Sequence, residues 1–341
     1  LAAEAEAVHL LGRGGAGFPV GTKLAATPTG RRTEIVVNGS EGEPASFKDR
    51  TLMRLAPHLV LDGARTVAGA LGTRRVRIVV HDATAYDALA LARDERGDAD
   101  LFSLVRTDHG FVGGEVRAVN RHLGGGPAVP PGRRVLPHVS GVGGNPTFAS
   151  NVETYAQIGL LASLGPTGYA VGGAPEEPGT SLVTVFGDVP HAGVLEVPSG
   201  LPLASLLGPG SGPVLIGGYH GRWTDDAAIA GLPLSRPRMR AAGIPLNAGV
   251  LVRLPEDTCP LGEVARVTRW LAAESAGQCG PCHFGLPALA EAMGAVMSGT
   301  PGAVDRALRL TGLLPGRGAC AHPDGSAAFV ASALATLTGE V

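Results

Sequence analysis

The feature that most constrains this chain is a glycine-rich stretch near its start, residues 12–23, which reads GRGGAGFPVGTK. Glycine accepts positive φ angles and lets the backbone approach a ligand closely. Backbone N–H groups in such a turn can cradle a phosphate, and the N-terminus of a following helix adds a favourable dipole. Arg13 and Lys23 can neutralise the phosphate charge. The stretch predicts a phosphate-binding turn, although glycine-rich turns are common and the signal alone is weak.

A second polar stretch, residues 38–50, reads NGSEGEPASFKDR and follows the apolar run Ile35, Val36, Val37. Such a run is typical of a buried strand that ends in a polar loop. Open α/β sheets bind their ligands at that end of the strands. The chain contains only two lysines, and both lie in these two stretches. A ligand site made by both stretches is therefore predicted.

Together the two stretches resemble the F subunit of respiratory complex I, which binds flavin and NADH, and the related subunit of NAD-linked hydrogenases and formate dehydrogenases. The family forms are close to GRGGAGFPTGLKW and NADEGEPGTFKDR, and further motifs follow in the same order along the chain. The resemblance implies an α/β fold with three domains. These are a Rossmann-like FMN-binding domain over residues 1–178, a β-grasp soluble-ligand-binding domain over 179–255 and a helical-bundle iron–sulfur domain over 256–341.

Composition agrees with a globular, cytoplasmic protein of this size. The 341 residues suffice for two or three domains. Apolar residues make up 44% and aromatic residues only 4%, so the cores are expected to consist of Ala, Val and Leu. A net charge of −2 implies neither a nucleic-acid nor an anionic-membrane partner. No uninterrupted apolar run approaches the length that spans a bilayer, and no signal peptide is recognised.

Periodicity predicts alternating helices and strands in the first half of the chain. A helix is expected over residues 49–71, a strand over 75–80, a helix over 83–96 and a strand over 101–105, which indicates a mostly parallel sheet. Residues 124–144 are rich in Gly and Pro and predict a loop. Short apolar strands are expected between residues 182 and 254. Within them, residues 217–225 (GGYHGRWTD) predict either a turn that buries Tyr219 and Trp223 in its own small core or a contact patch for a partner.

A third motif, residues 110–118 (GFVGGEVRA), resembles the family's AYICGEETA. Gly114 and Glu115 match, whereas Phe111 replaces the tyrosine, Val116 the second glutamate and Arg117 the threonine. In the family this loop packs against the flavin and reaches the nicotinamide. A buried polar contact contributes about 1 kcal/mol, so these losses predict weaker NADH binding unless other groups compensate.

Residues 145–155 (NPTFASNVETY) resemble the family's PTVVNNVET, with Ser150 in place of one asparagine. In the family this turn into a helix touches the FMN phosphate and ribityl chain, although Asn, Ser and Thr also favour ordinary helix caps. Phe18 keeps one aromatic of the adenine clamp, while Leu136 and Leu24 replace two others. Glu43 resembles the contact to the NADH ribose. The cofactor-binding set that the resemblance implies is Gly12, Arg13, Gly14, Gly15, Gly17, Phe18, Lys23, Asn38, Ser40, Glu41, Glu43, Phe111, Gly114, Glu115, Ser150, Asn151 and Thr154. No side-chain general acid or base is required.

The cysteines carry the second predicted site. A C-x-x-C pair in a cytosolic chain suggests metal or redox chemistry before a structural disulfide. Residues 274–285 (ESAGQCGPCHFG) resemble the family's ESCGQCTPCREG, which supplies three thiolates to a [4Fe–4S] cluster, and residues 316–325 resemble the segment that supplies the fourth. Cys279, Cys282 and Cys320 match, whereas Ala276 stands in place of the first cysteine.

Three other residues bear on the missing ligand. A helix predicted over residues 260–273 places Cys259 about 20 Å from Ala276, so Cys259 is expected to be a buried apolar residue rather than a ligand. His283 and His322 are further potential ligands, although each alone is expected at the surface. Three options stay open: [4Fe–4S] with a histidine, water or other fourth ligand, a three-iron cluster, or Zn²⁺ held by three cysteines and a histidine.

The sequence thus predicts an oxidoreductase in which a hydride passes from NAD(P)H to FMN and single electrons pass to an iron–sulfur cluster. A nicotinamide nucleotide or other hydride donor and a ferredoxin-like redox partner are the expected partners. Two alternatives remain. One is an FMN-binding scaffold without NADH oxidation, which the changes at Phe111, Val116 and Leu136 suggest. The other is a protein whose Cys/His site holds structural zinc.

Overall fold

The computed structural model describes residues 1–108, 110–133, 135–210 and 212–337. The chain divides into two compact units. The first comprises Leu1–Leu182 with Glu196–Gly200, and the second comprises Val183–Leu195 with Leu201–Val341. Among the described residues, no helix is both long and apolar enough to cross a membrane.

The first unit contains helices and strands in mixed order along the chain. They are α1 (Ala2–Ala7), α2 (Val20–Ala26), β1 (Glu34–Gly39), α3 (Lys48–Leu55), α4 (Pro57–Leu71), β2 (Val76–Val80), α5 (Ala83–Asp94), β3 (Phe102–Arg106), α6 (Val116–Leu123), β4 (Thr147–Asn151), α7 (Val152–Tyr169), β5 (Gly173–Ala174) and β6 (Glu177–Pro178).

Strands β1 to β4 form one parallel sheet in the order β3-β2-β1-β4. Val36 of β1 pairs with Arg77 on one side and with Ala149 on the other. The parallel sheet predicted from the sequence is therefore confirmed. Strand β4 is additional, because residues 145–155 were expected only as a turn that enters a helix.

Strand β1 is buried on both faces, which explains its unbroken apolar run. Ile35 and Val37 belong to the larger core beneath α4 and α7. Val36 faces the opposite side and packs with Val119 of α6. This alternation follows from the two-residue period of a strand.

Helices α4 and α7 pack unusually closely in the larger core. A Cβ atom on Gly63 would lie 1.8 Å from the carbonyl oxygen of Tyr155, so only glycine permits this approach. The helix predicted over residues 49–71 is two helices, since the chain breaks at Ala56, whose φ is −138°. Pro57 begins α4, and a residue before proline is disfavoured in the helical region.

The remaining elements contain the short strands and the helical C-terminal region. They are β7 (Thr180–Gly187), β8 (Gly193–Pro198), α8 (Leu203–Leu207), β9 (Val214–Ile216), β10 (Arg222–Thr224), α9 (Asp226–Ile229), α10 (Arg236–Ala241), β11 (Val250–Arg253), α11 (Pro260–Ala273), α12 (Leu286–Met297), α13 (Ala303–Leu313) and α14 (His322–Leu337). A π-helical turn, Pro281–Gly285, precedes α12. The strands form a sheet in the order β10-β9-β11-β7-β8.

The aromatic stretch at residues 217–225 packs against the C-terminal helices. Trp223 is buried, and its ring centroid lies 6.0 Å from that of Phe329 in α14. Tyr219 is only partly buried, and its ring centroid lies 5.2 Å from that of Trp270 in α11. The turn therefore does not bury these rings in a core of its own, which was one of the two alternatives for this stretch. Helix packing supplies the apolar partners that a short turn lacks.

Candidate functional site

The order of strands in the first sheet creates a crevice for a ligand. From β1 the chain proceeds to β2 and β3 on one side, whereas β4 lies on the other side. The carboxyl ends of β1 and β4 therefore form a topological switch point, where open α/β sheets bind ligands. The glycine-rich turn meets this point, because the Lys23 ammonium donates hydrogen bonds to the Ala149 carbonyl and, at 3.5 Å, to the Ser150 hydroxyl.

Two further contacts bring the predicted motifs to the same crevice. The backbone N–H of Arg13 donates to the Thr154 hydroxyl at 2.9 Å. The side-chain amide of Asn38 donates to the Gly114 carbonyl, also at 2.9 Å. Gly15 and Gly17 of the first motif have φ angles of 89° and 57°. The four sequence motifs of the first unit are thus neighbours in space.

The Arg13 guanidinium is paired with carboxylates of the protein, although the sequence suggested that it would neutralise a phosphate. Its side chain is fully buried; it forms an ion pair with Glu177 and donates to the Thr180 carbonyl at 3.0 Å. Its Nε lies 3.8 Å from Glu153 Oε1. Burial acts to lower the pKa of Arg13, but the carboxylates of Glu153 and Glu177 outweigh it and raise the pKa. Arg13 therefore ties the glycine turn to the segment around β6.

Lys48 is the centre of a second buried network. Its ammonium lies 2.6 Å from Asp49 Oδ1, 2.9 Å from Glu153 Oε2 and 3.2 Å from Asn151 Oδ1. The Asn151 amide donates to Asp49 Oδ2 at 2.6 Å, and its oxygen accepts the Glu153 N–H at 3.0 Å. Burial acts to lower the pKa of Lys48, yet Asp49 and Glu153 raise it above its usual value. The network links the start of α3 to the start of α7.

The Glu41 carboxylate accepts hydrogen bonds from backbone N–H groups. Its donors are the Ser46 hydroxyl at 2.8 Å, the N–H groups of Asp49 and Arg50 at 2.9 and 3.1 Å, and Arg50 Nε at 2.8 Å. These donors include two of the unpaired N–H groups at the start of α3, so Glu41 stabilises that helix end. The structure places Glu41 in a supporting position around the crevice.

Lys23 and Ser40 differ from these supporting residues. Among the described residues no carboxylate pairs with Lys23, and burial lowers the pKa of its ammonium to about 8. Ser40 is 1% exposed, and its hydroxyl has no hydrogen-bond partner in the described part of the chain. An unpaired cation and an orphaned hydroxyl at the switch point fit a ligand with a phosphate and several acceptor atoms. FMN has this chemistry.

Helix α6 begins beside the same crevice. Glu115 caps it, since its Oε2 accepts the Arg117 N–H at 3.0 Å, and burial raises the pKa of Glu115. Arg117 Nη1 lies 3.9 Å from Glu115 Oε1, while its buried Nε has no hydrogen-bond partner among the described residues. A Cβ atom on Gly42 would lie 3.0 Å from the Phe111 carbonyl oxygen, so the two loops are in direct contact. Phe18 is 53% exposed, which leaves its ring face available for stacking.

Another predicted residue of this set is Glu43, whose Oε1 accepts the Ala45 N–H at 3.2 Å. The sequence-based set did not include Asp49, Glu153, Glu177 or Arg117. Lys48 was not in that set either, although it is one of the two lysines of the chain. Glu153 lies within the recognised NVET motif, so its position offered a signal. Glu177 offered none, because its pairing with Arg13 spans 164 residues.

The three matching cysteines lie in the helical region of the second unit. Cys279 Sγ is 3.6 Å from Cys282 Sγ, and Cys282 lies on the π-helical turn. Cys282 and Cys320 are each 4% exposed. Cys320 is two residues before α14, which contacts the π-helical turn. Within the described ranges, no group of three or more His, Cys, Asp or Glu side chains is arranged to hold a metal ion. Soft thiolate donors on two adjoining segments fit an iron–sulfur cluster in their chemistry.

Cys259 is exposed, and the expectation that it would be buried was wrong. Its sulfur accepts the Gly262 N–H at 3.4 Å and caps α11, with Pro260 as the first helical residue. The buried face of α11 contains Val264 and Leu271 instead. Helix α11 is continuous as predicted, and its 14 residues, about 21 Å in length, lie between Cys259 and the other three cysteines along the chain.

The two histidines of this region lie in different environments. His283 is exposed, as expected, whereas His322 is 4% exposed, contrary to expectation. His322 Nε2 donates to the Leu271 carbonyl at 2.8 Å. Its Nδ1 lies 3.1 Å from His220 Nε2. Burial lowers the pKa of His322 and lowers that of His220 to about 3. His220 is therefore neutral near pH 7, and both ring nitrogens of His322 are hydrogen-bonded to the protein.

Two family profiles match separate parts of this chain. The family profile described as the Nuo51 FMN-binding domain matches residues 5–160. The profile described as the NADH-ubiquinone oxidoreductase-F iron-sulfur binding region matches residues 263–341. The first profile covers the four motifs of the crevice, and the second covers Cys279, Cys282 and Cys320.

Whole-chain comparisons extend this likeness. The F subunit of the NADH-quinone oxidoreductase of Mycobacterium tuberculosis is 31% identical over 95% of this chain and 80% of its own length. The corresponding subunit of Salmonella typhimurium is 30% identical over the same shares. A crystal structure of the NAD+-reducing [NiFe]-hydrogenase in the air-oxidised state matches 99% of this chain with a TM-score of 0.89 and 26% identity. This chain spans 61% of that hydrogenase chain. It therefore belongs to the family of NADH-quinone oxidoreductase F subunits.

Proposed function

We propose that this protein is a flavin- and iron–sulfur-dependent electron-transfer oxidoreductase that takes a hydride from a nicotinamide nucleotide, NADH in the first instance. The observation that carries the proposal is the pairing, at the switch point between β1 and β4, of a buried ammonium that has no carboxylate partner among the described residues, Lys23, with the orphaned hydroxyl of Ser40. FMN, when bound, converts a two-electron hydride transfer into single-electron steps that an iron–sulfur cluster can carry.

The residues of the crevice divide into two roles. Those that face the cofactor supply charge, hydrogen bonds or a stacking surface, and Lys23 is the cation for the phosphate. The supporting residues hold the loops in place by forming hydrogen bonds and ion pairs with other groups of the protein. We assign Gly12, Gly14, Gly15, Gly17, Phe18, Lys23, Ser40, Glu43, Phe111, Gly114, Glu115 and Ser150 to the first role, and Arg13, Asn38, Glu41, Asn151 and Thr154 to the second.

The start of α7 contributes to the same task. Asn151 caps this helix, so the helix N-terminus lies at the switch point, directly after β4. The partial positive charge of a helix N-terminus favours a phosphate. Lys23 adds a full charge there, because its ammonium contacts Ser150, the residue before Asn151.

Cys279, Cys282 and Cys320 are the proposed ligands of the iron–sulfur cluster. Their thiolates are soft anionic donors, and such donors hold iron–sulfur clusters in proteins. His322 supports them, since its hydrogen bond to the Leu271 carbonyl ties the turn after Cys320 to the end of α11. Groups that orient metal ligands in this way contribute to metal affinity.

The finer organisation of the chain is part of the proposal. We propose a Rossmann-like FMN domain over residues 1–178, a β-grasp soluble-ligand-binding domain over 179–255 and an iron–sulfur domain over 256–341. The protein acts in the cytoplasm within a heteromer, and a ferredoxin-like partner accepts its electrons. The named relatives support this setting, because they are subunits of NADH-quinone oxidoreductases.

The deciding experiment is anaerobic purification with flavin and metal analysis, followed by NADH titration observed by absorbance and EPR. The expected result is FMN and iron, bleaching of the flavin and a reduced-cluster signal. FMN and iron without reduction by NADH would favour the second candidate, a flavoprotein with another donor, which the apolar Phe111 and Val116 suggest. Zinc in place of iron would reject electron transfer through the cysteine site.

A further inference from the structure

We propose that one iron of the cluster has no protein ligand and instead carries an exchangeable water or hydroxide. This inference rests on the proposed function, since it requires an iron–sulfur cluster at Cys279, Cys282 and Cys320. Four iron sites and three thiolates leave one site to be completed. The structure restricts which group of this chain can complete it.

The position that precedes Cys279 by three residues is Ala276, whose methyl group cannot bind a metal. Ala276 is partly exposed, and its neighbours Gly277 and Gln278 are exposed. Solvent therefore reaches the segment between the end of α11 and Cys279. Solvent access around a metal site decides whether water can serve as a ligand.

Cys259 cannot be the fourth ligand of the cluster, because of the helix that follows it. It caps the N-terminus of α11 with its sulfur, and α11 continues without a break to Ala273. Fourteen helical residues at 1.5 Å each span about 21 Å. Moving this thiol to the cluster would require α11 to unfold, together with the buried contacts of Val264 and Leu271.

The histidines are excluded by different observations. His322 donates through Nε2 to the Leu271 carbonyl at 2.8 Å, and its Nδ1 is hydrogen-bonded to His220 Nε2 at 3.1 Å. Neither ring nitrogen offers a lone pair to iron. His283 follows Cys282 directly, but the His283 side chain lies at the surface, whereas the neighbouring Cys282 is buried.

An iron with a solvent ligand is more easily lost than one held by a cysteine. Oxidation with ferricyanide removes one electron from [4Fe–4S]²⁺ and releases Fe²⁺, which leaves [3Fe–4S]⁺ with the three cysteines. Added Fe²⁺ with one electron from dithionite reverses the change. The structure thus predicts reversible interconversion of two cluster forms in the wild-type protein.

The test compares the wild-type protein with Ala276→Cys, both loaded with cluster under anaerobic conditions. After stoichiometric ferricyanide, the wild type is expected to release one iron per cluster to an Fe²⁺ chelator and to show the EPR signal of a three-iron cluster. Ala276→Cys is expected to retain its iron and show no such signal. His283→Ala and Glu274→Gln serve as controls and are expected to behave like the wild type. Glu274 directly follows α11 and is the carboxylate nearest to Ala276 along the chain.

A measurement on the wild type alone covers the case in which Ala276→Cys folds poorly. The oxidised protein is reloaded with ⁵⁷Fe²⁺, and Mössbauer spectra are expected to show label in a single iron site. Full retention of iron by the wild type, label spread over all sites, or a changed cluster signal in His283→Ala or Glu274→Gln would overturn the inference while leaving electron transfer intact. Zinc without iron would overturn the proposed function itself.

Discussion

The flavin-side crevice and the cysteine site differ in the contacts that stabilise them and in how each departs from the family motifs. Around the crevice, Arg13, Lys48 and Glu153 are buried and paired with one another or with neighbouring groups. The departures from the family pattern include Phe111 and Val116, in the loop that we propose holds the nucleotide. At the cysteine site the departure is a missing ligand, Ala276.

The difference teaches that similar substitutions have unlike consequences. A ligand held by many contacts loses affinity in steps of about 1 kcal/mol when single contacts disappear. A metal cluster that loses a thiolate changes its coordination chemistry. We therefore expect graded changes in the first unit and all-or-none changes in the second, and five predictions test this contrast.

The largest effect is expected from removing a thiolate at the cysteine site. Cys282→Ala leaves two matching thiolates, so we expect the protein to lose its iron. The matched control is Cys259→Ser, because Cys259 is exposed and only caps α11. Iron and sulfide analysis after anaerobic reconstitution measures both. Retention of iron in Cys282→Ala, or its loss in Cys259→Ser, would reverse the assignment of ligands.

The next effect is on stability and concerns the support of the crevice. Arg13→Leu leaves the carboxylates of Glu153 and Glu177 buried without their guanidinium, which is expected to cost about 3–5 kcal/mol of unfolding free energy. The control Arg74→Leu removes an exposed ion pair with Asp100 and is expected to cost about 0–1 kcal/mol. Chemical denaturation followed by circular dichroism compares them. An equal loss of unfolding free energy in the two variants would mean that the buried network stabilises the protein no more than an exposed ion pair does.

A smaller, graded effect is expected at the cofactor. Lys23→Met removes the unpaired ammonium without disturbing an ion pair among the described residues. A hydrogen bond to a charged group contributes about 1.5–3 kcal/mol, so the dissociation constant of FMN should rise about 10- to 100-fold. Lys23→Arg keeps the charge and should lose less. Quenching of FMN fluorescence provides the measurement, and an unchanged affinity in Lys23→Met would place the phosphate elsewhere.

The same lysine predicts a pH dependence with a defined sign. Burial lowers its pKa to about 8 in the free protein, and a bound phosphate anion raises it. Above pH 8, binding therefore takes up a proton, and FMN affinity should fall as pH rises, by at most about tenfold per pH unit. Below pH 8, Lys23 is protonated in both states and contributes no slope. Lys23→Met should lack this slope; if it is retained, another group is responsible.

Local patterns were sufficient to predict most elements of the fold. The apolar run of β1 and the periodicity of α11 identified their elements, because each pattern is set within a few residues. The break at Ala56 was missed even though Pro57 signals it. Strand β4 was missed because PTFASN is short and mixed, and its pairing with β1, over a hundred residues away, decides its conformation.

In the candidate site, too, local sequence predicted some features and only tertiary contacts revealed the others. Glycines, lysines and cysteines were recognised from motifs, since their chemistry is visible in the sequence. The roles of Arg13 and Glu41 were not visible, because only the folded chain shows that their charges are used by the protein itself. His322 was expected at the surface, whereas tertiary packing buries it against the Leu271 carbonyl.

The smallest effect is expected at the nucleotide loop, where the polar groups of the family motif can be restored. Phe111→Tyr adds a hydroxyl and Val116→Glu a carboxylate, each expected to contribute about 1 kcal/mol to nucleotide binding, which corresponds to about a fivefold lower KM for NADH. Val116→Gln has the length but not the charge, and so separates hydrogen bonding from electrostatics beside Arg117. Steady-state kinetics measure KM and kcat, and reduction by dithionite verifies that the flavin is intact in each variant. An unchanged KM in both restored variants would mean that the loop at residues 110–118 does not hold the nucleotide, and the contrast between graded and all-or-none loss would then lack its graded side.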